Sequence, residues 1–236
     1  MDFASLKQLN EARRARRAAI LVTDLGDGGD RIVLEGDVVV GAIGEAIAKA
    51  FRTGVSGSVE ADGRTFFLNA HLPQPRLVVI GAVHISQALA PMARVAGYPL
   101  EIIDPRTAFA TKDRFPDVTL HPEWPQDVMS ARPLDGYTAL AALTHDPKID
   151  DFALKAALDA GCFYVGALGS RKTHAKRVER LLAAGATADQ IARIHAPIGI
   201  DIGAASPSEI AVAVLAQVIQ AFRSRGAAAG AKGEAA

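Results

Sequence analysis

The pattern of hydrophobic and polar positions in the first third of the chain predicts two β-hairpins separated by a helix. AAILVTDLG and RIVLEGDVVV are apolar stretches of strand length, and GDGGD between them has the composition of a turn. GAIGEAIAKAFRTG has apolar residues at helical spacing, with Gly54 placed to end the helix. SGSVEA and RTFFLNAHL form the second predicted hairpin, with Asp62 and Gly63 at its tip. We therefore expect a small α+β domain over residues 1–73, ended by the proline-containing segment LPQPR.

The rest of the chain has a different pattern, because its predicted strands are apolar at nearly every position. RLVVIG, PLEIID, YTALAALTHD and CFYVGALG are such strands, and segments of helical periodicity alternate with them. This alternation predicts an α/β fold, with a Rossmann-like doubly wound parallel sheet over residues 76–225. Residues 226–236 contain little to bury and are expected to be a disordered tail. Ligands of such sheets bind beyond the carboxyl ends of the strands, so the residues after each strand are the candidate site.

Local capping chemistry predicts where several helices begin. Two capping boxes are present, Thr187 with Gln190 and Ser206 with Glu209, and Pro207 suits a first helical position. Asp150 or Asp151 is expected to cap the helix that runs to Gly161.

Composition restricts the class of protein. Lys and Arg number 26, as do Asp and Glu, so no net charge favours binding to nucleic acid or to an anionic membrane surface. The single cysteine, Cys162, excludes an internal disulfide and is typical of a reducing compartment. The sequence has no apolar run near the ~20 residues of a membrane-spanning helix, and its charged N-terminus does not resemble a signal peptide. These features predict a cytoplasmic protein.

The loops after the first two strands of the parallel sheet contain candidate ligand contacts. In GAVHIS, Gly81 begins a turn, but Val83 stands where a dinucleotide fingerprint has the glycine that admits a pyrophosphate. His84, in the first turn of the next helix, is either a surface residue or a ligand contact. Asp104 lies about 20 positions after Gly81, where an acidic residue commonly bonds a ribose hydroxyl, although aspartate before proline also forms turns. Arg106 is placed to reach a phosphate.

The loops after the later strands contain the rest of the candidates. Thr144 and His145 either contact a polar ligand or have no ligand role, and no second histidine or cysteine has the spacing of a metal site. GALGSRKTH joins a strand to a helix: Gly169 permits close backbone approach, Ser170 suits a helix cap, and Arg171 and Lys172 offer charge-assisted hydrogen bonds. Cations at a helix N-terminus oppose the helix dipole, so an anionic ligand would explain them. Gly203, before the last predicted helix, would add backbone N–H groups to the same crevice.

Together these segments resemble the XdhC/CoxI family, accessory proteins of xanthine dehydrogenase and related molybdenum hydroxylases. The matching segments are GAVHIS, IIDPRTAFATKDRFP, LTHD, YVGALGSRKTH and PIGIDIGAASPSEIAV, which span most of residues 77–215. The resemblance implies a chaperone that binds the molybdenum cofactor (molybdopterin) as cargo. It also implies cofactor sulfuration by a cysteine desulfurase and insertion into the apo molybdenum hydroxylase. No nucleophile–base pair is evident, so we expect no turnover by the chain itself. The expected crevice residues are Gly81, His84, Asp104, Arg106, Thr144, His145, Gly169, Ser170, Arg171 and Gly203.

Two features depart from the family pattern. Family members usually have glycine where Val83 stands, and their N-terminal half typically has a glycine-glycine-cysteine segment whose thiol is a candidate contact for molybdenum. Here the corresponding region is LEGDVVVGAIGEA, without cysteine, and Cys162 is expected to be buried as a small apolar residue. The chain is then either a paralogue that binds without handling sulfur or one half of a hetero-assembly.

Other functions remain open from the sequence alone. An NAD(P)-dependent oxidoreductase could use the same crevice, with Asp104 favouring NAD and Arg106 favouring NADP. A protein–protein adaptor is a third interpretation. In each case we expect a homo-oligomer, most simply a dimer.

Overall fold

The computed structural model describes residues 2–225, and the chain divides into two compact units. Of the described residues, one unit contains 2–74 together with 224 and 225, and the other contains Pro75–Arg223. The tail that we expect to be disordered, residues 226–236, lies outside the described residues. Within residues 2–225, no helix is both long enough and apolar enough to cross a membrane.

The N-terminal unit is built on one antiparallel sheet. Its elements are α1 (Phe3–Arg14), β1 (Ala19–Asp24), β2 (Asp30–Leu34), α2 (Gly41–Thr53), β3 (Gly57–Ala61) and β4 (Arg64–His71). The strands lie in the order β2-β1-β4-β3. Ile20, Val22 and Leu68 are buried in one cluster with Ile47 of α2, because alternate residues of a strand point to the same face of the sheet. Gly54 ends α2 in the left-handed conformation, as predicted.

The C-terminal unit is a six-stranded parallel sheet with helices on both faces. Its elements are β5 (Arg76–Ile80), α3 (His84–Val95), β6 (Leu100–Ile103), β7 (Thr119–His121), α4 (Pro125–Ala131), β8 (Thr138–Ala142), α5 (Pro147–Asp159), β9 (Tyr164–Ala167), α6 (Arg171–Ala183), α7 (Ala188–Ile191), β10 (Ile194–His195) and α8 (Pro207–Ser224). The strand order is β10-β9-β8-β5-β6-β7, and every pairing is parallel. The order reverses between β5 and β8, so the predicted Rossmann-like, doubly wound α/β fold is confirmed.

The two faces of this sheet are covered by different helices. Leu77 and Val79 of β5 belong to the core cluster that includes residues of α3 and α8. Val78 and Ile80, which point the opposite way, belong to the cluster that includes residues of α5. Every residue of β8 is buried, as expected for a strand covered on both sides. The helices on the two faces therefore hold the strands in place and fix the positions of the loops that follow them.

Some elements differ from the predicted ones. β2 ends at Leu34, earlier than the apolar run suggests. The backbone N–H of Leu34 donates to the Asp37 carboxylate (2.8 Å), and the N–H of Asp37 donates to the Leu34 carbonyl (3.0 Å), which turns the chain. Val38 and Val40 consequently lie outside the strand and are exposed. The short elements β7, α4 and β10 were not predicted, because two to seven residues carry little periodicity.

Candidate functional site

The loops after β5, β6, β8 and β9 meet at the carboxyl end of the parallel sheet, around the point where the strand order reverses. These loops and the first residues of the helices after them contain the predicted contacts Gly81, His84, Asp104, Arg106, Thr144, His145, Gly169, Ser170 and Arg171, whereas Gly203 lies in the loop before α8. The carboxyl end of the parallel sheet is therefore the candidate site.

Gly81 brings the loop after β5 against the loop after β8. Its φ is 114°, and a Cβ at this position would lie 2.8 Å from Cγ2 of Thr144. Its carbonyl accepts a hydrogen bond from the buried Ser86 hydroxyl (2.5 Å). A side chain at position 81 would strain the backbone and push the two loops apart, so glycine here serves the close packing of the strand ends.

Asp104 and Arg106 form a closed ion pair at the end of β6. The Asp104 side chain is fully buried, and its two oxygens accept hydrogen bonds from the Arg106 side chain (2.9 and 2.7 Å) and from the backbone N–H groups of Arg106 (3.0 Å) and Ala82 (2.8 Å). Burial alone would raise the pKa of Asp104, but these hydrogen bonds outweigh burial and hold the pKa below its ordinary value. The guanidinium of Arg106 also lies 4.8 Å from the ring centre of Phe109. A ribose hydroxyl would have to displace these partners to reach Asp104.

Asp150 is a second buried carboxylate, in the first turns of α5. It is 1% exposed and accepts hydrogen bonds from the Thr144 hydroxyl (2.7 Å) and the backbone N–H of His145 (3.1 Å). Burial raises the pKa of Asp150 to about 6, although these hydrogen bonds and the charge of Arg177 favour the ionised form. The same carboxylate supports His145 in a left-handed conformation with φ 64°, which is uncommon for a residue other than glycine.

The helix cap expected at Asp150 or Asp151 is provided by Asp146 instead. The Asp146 side chain accepts a hydrogen bond from the backbone N–H of Lys148 (3.0 Å), and Pro147 takes the first helical position. The prediction was wrong because three aspartates lie close together in the sequence, and only the fold decides which one meets the free N–H groups. Asp150 therefore turns inward, and Asp151 pairs with Arg180.

A cleft of about 320 Å³ opens between α5 and α6, and we call it the cationic cleft. It is lined by His145, Pro147, Asp150, Asp151, Lys172, Thr173, Lys176, Arg177 and Arg180. All four of its permanent cations come from α6, and only two carboxylates face them. Arg180 makes two hydrogen bonds to Asp151, whereas Lys172 and Lys176 form no ion pair within the described structure. The excess of positive charge favours an anionic ligand.

One predicted contact, His145, lines this cleft, and three others, Thr144, Gly169 and Ser170, position residues that line it. Thr144 holds the buried carboxylate of Asp150. Ser170 caps α6 as predicted, by accepting a hydrogen bond from the backbone N–H of Thr173 (3.2 Å). Gly169 has a φ of 134°, and a Cβ there would lie 3.1 Å from Cγ2 of Thr173, so glycine permits this tight entry into α6.

Other predicted contacts are not brought to the cleft. Arg171 and His84 are exposed at the first positions of α6 and α3, and neither lines the cationic cleft. Gly203 is exposed, and its N–H donates to the Asp201 carboxylate at 3.3 Å. Lys172, predicted together with Arg171 to offer charge-assisted hydrogen bonds, lines the cleft. The other lining cations of α6 were missed, although Lys172, Lys176 and Arg180 are four residues apart and such spacing places side chains on one helix face.

The single thiol of the chain lies in the core of this unit. Cys162 is fully buried, as predicted, and burial raises the pKa of its thiol to about 12. In the part of the chain that the structure describes, no group of three or more His, Cys, Asp or Glu side chains could hold a metal ion.

Known proteins are similar to this chain in both sequence and structure. A family model, the XdhC Rossmann domain, matches residues 77–218. The chain is 32% identical over 169 residues to the uncharacterized protein YqeB of Escherichia coli K12, covering 70% of this chain and 30% of that protein. It is 31% identical over 155 residues to a probable xanthine dehydrogenase component of Bacillus subtilis 168, covering 65% and 45%. It is 32% identical over 146 residues to the molybdenum cofactor insertion chaperone PaoD of E. coli K12, covering 62% and 40%. The matches thus span less than half the length of each of these relatives.

A crystal structure described as a xanthine dehydrogenase from Bacillus halodurans superposes with a TM-score of 0.61 at 25% identity, covering 93% of this chain and 64% of that one. The family match covers more than half of the present chain and includes the carboxyl ends of all six parallel strands. The chain therefore belongs to the XdhC family, as its strand-end segments predict.

Proposed function

We propose that this chain binds the molybdenum cofactor as cargo. We further propose that it assists maturation of the cofactor and its insertion into an apo molybdenum hydroxylase of the xanthine dehydrogenase type. The names of two relatives, a molybdenum cofactor insertion chaperone and a probable xanthine dehydrogenase component, support this role. In this proposal the chain acts as a homo-oligomeric carrier without turnover of its own.

The cationic cleft is the observation that carries the proposal. The molybdenum cofactor is an anion, with a phosphate at one end of the pterin and a dithiolene that holds molybdenum. A protein that carries it needs positive charge and hydrogen-bond donors in a sheltered cleft. The cleft supplies both, and its volume of about 320 Å³ lies at the lower end of the ~300–1,000 Å³ usual for small-molecule sites.

The partners of Asp104 favour cofactor carriage over the oxidoreductase alternative. The carboxylate that would bind a ribose already accepts four hydrogen bonds, from Arg106 and Ala82. Val83 adds a side chain where a dinucleotide turn needs glycine. NAD(P) binding therefore requires rearrangement of a buried ion pair, whereas an anion can enter the cationic cleft directly.

Sulfur transfer, if this chain takes part in it, needs a thiol from another protein. Cys162 is buried, and with a pKa of about 12 its thiol stays protonated near neutral pH. We therefore propose that a cysteine desulfurase partner supplies the sulfur and that this chain holds the cofactor during the transfer.

The test is anaerobic loading. The protein is incubated with free molybdenum cofactor and gel-filtered, and molybdenum and pterin are measured in the protein peak. We expect near-stoichiometric retention by the wild type and loss of most of it in Lys172→Ala/Lys176→Ala. Arg171→Ala, which removes a neighbouring exposed cation outside the cleft, is the matched control and should retain cofactor. Folded wild type that retains neither molybdenum nor pterin would sink the proposal. Micromolar NADH or NADPH binding in a fluorescence titration would then favour the oxidoreductase.

A further inference from the structure

Arg177 is a buried cation that lines the cationic cleft from the second turn of α6. It is 2% exposed, and its Nη2 donates a hydrogen bond to the carbonyl of Leu168 (2.9 Å). Its Nε and Nη1 atoms are also buried, and within residues 2–225 they have no hydrogen-bond partner. Buried N–H groups of a charged side chain are costly to leave without an acceptor. Arg177 therefore stands to gain from a ligand that brings oxygen acceptors.

The nearby carboxylates do not accept hydrogen bonds from Nε and Nη1 of Arg177. Asp150 and Asp151 attract Arg177 electrostatically. The Asp150 oxygens, however, accept their hydrogen bonds from Thr144 and His145, and Asp151 is held by Arg180. No ion pair joins either carboxylate to Arg177 in the described structure. The fold thus keeps a positive charge beneath the cleft without pairing it directly with a carboxylate.

The cleft lining favours a doubly charged anion. Lys172 and Lys176 lie one helical turn apart and are exposed, so their ammonium groups can reach a ligand without any change in the backbone. Four permanent cations face two carboxylates, and a ligand with two negative charges offsets this excess better than a singly charged carboxylate. The Thr173 hydroxyl adds a neutral donor on the same face.

We propose that the cationic cleft is a binding site for a phosphate monoester, with Arg177 as its buried cation and Lys172 and Lys176 at its rim. Assigning this phosphate to the molybdenum cofactor rests on the proposed function, whereas the anion site itself does not. A free nucleotide offers the same chemistry and is the competing source.

The probe is phenyl phosphate, a simple monoester, followed by ³¹P NMR titration of the full-length chain. We expect saturable binding by the wild type, weaker by about tenfold in Arg177→Met and in Lys172→Ala/Lys176→Ala. Arg171→Ala should change the dissociation constant by less than about twofold, since an exposed charge outside the site is screened. The phosphodiester methyl phenyl phosphate, with one charge fewer, should bind several times more weakly.

The lysine variant keeps the test decisive if Arg177→Met does not fold, because Lys172 and Lys176 are exposed. The proposed site is overturned if Lys172→Ala/Lys176→Ala leaves the dissociation constant for phenyl phosphate unchanged, or if the wild type shows no saturable binding. If the wild type binds phenyl phosphate but does not retain molybdenum cofactor, the anion site is supported and the proposed cargo is wrong. If it retains the cofactor but does not bind phenyl phosphate, the proposed function is supported and the anion site is wrong. A competition experiment compares the concentrations of molybdenum cofactor and of AMP that displace phenyl phosphate. Displacement at a lower concentration of the cofactor supports assignment of the site to the pterin phosphate. Displacement at a lower concentration of AMP overturns that assignment.

Discussion

Asp150 links the geometry of a loop to the charge of the cleft. Its carboxylate receives the Thr144 hydroxyl and the His145 N–H, which fixes the turn between β8 and α5, and it faces the buried charge of Arg177. The electrostatic potential at this end of the sheet also depends on the charges of Arg106, Arg180 and Asp151. Ionisation of Asp150 therefore affects both the hydrogen bonds that fix this turn and the electrostatic potential of the cleft.

We predict that Asp150 makes the free energy of unfolding depend on pH. Its pKa rises from 3.8 in the unfolded chain to about 6 in the fold, so the folded state binds the proton more tightly. This stabilisation is complete below about pH 4 and is lost as the pH rises through about 6, by roughly 1–3 kcal/mol. In urea unfolding between pH 4 and 7.5, the stability difference between the wild type and Asp150→Asn should change by this amount. The difference is the measure because His71, His174 and His195, whose pKa values burial lowers, titrate in both proteins. Asp151→Asn is the control, and it should keep the wild-type slope.

The role of individual cations could be predicted only in part. Arg171 stands out in the sequence because it directly follows the predicted cap, Ser170, and that cap is observed. Which cations of α6 face a cleft depends on where α5 packs, however, and that is a tertiary property. The burial of Arg177 is the clearest case, since sequence alone favours an exposed position for arginine.

At the scale of elements, local chemistry was predicted better than long-range pairing. Both predicted capping boxes form: Thr187 and Gln190 bond each other's backbone N–H, and so do Ser206 and Glu209. Each box needs only a few consecutive residues, so neighbouring structure matters little. By contrast, β7 and β10 are strands only because β6 and β9 lie beside them, which a short sequence window does not show.

Removing one cap should destabilise the C-terminal unit by a definite amount. In Ser206→Ala, the N–H of Glu209 loses its side-chain acceptor at the start of α8, whose buried residues pack against the sheet. We expect a loss of about 1 kcal/mol in the free energy of unfolding, measured by urea denaturation. Ser208→Ala, an exposed change two residues further along, should leave stability within about 0.5 kcal/mol. Equal effects of the two changes would contradict a specific capping role.

At the scale of the whole molecule, each of the two units has its own core. Both core clusters of the parallel sheet and every residue of the cationic cleft lie within Pro75–Arg223. The N-terminal unit has its own sheet and its own core. The candidate anion site therefore depends on residues of one unit only.

We predict that a fragment containing residues 75–225 folds and binds phenyl phosphate as the full chain does. Its core and its cleft are both internal to it, so the dissociation constant should agree within about threefold. Circular dichroism and a cooperative urea transition would establish folding, and the ³¹P titration would compare affinity. A folded fragment without phosphate affinity would show that the N-terminal unit contributes to the site.

The burial of Cys162 gives this fold a built-in reporter of its own opening. A fully buried thiol reacts with a disulfide reagent only when the structure around it opens, and here every modified molecule is modified at the same known atom. Cys162 belongs to the core cluster that also holds residues of α5 and α6. An anion that binds the cations of α6 in the folded state would therefore slow the labelling of a sulfur atom that it never touches.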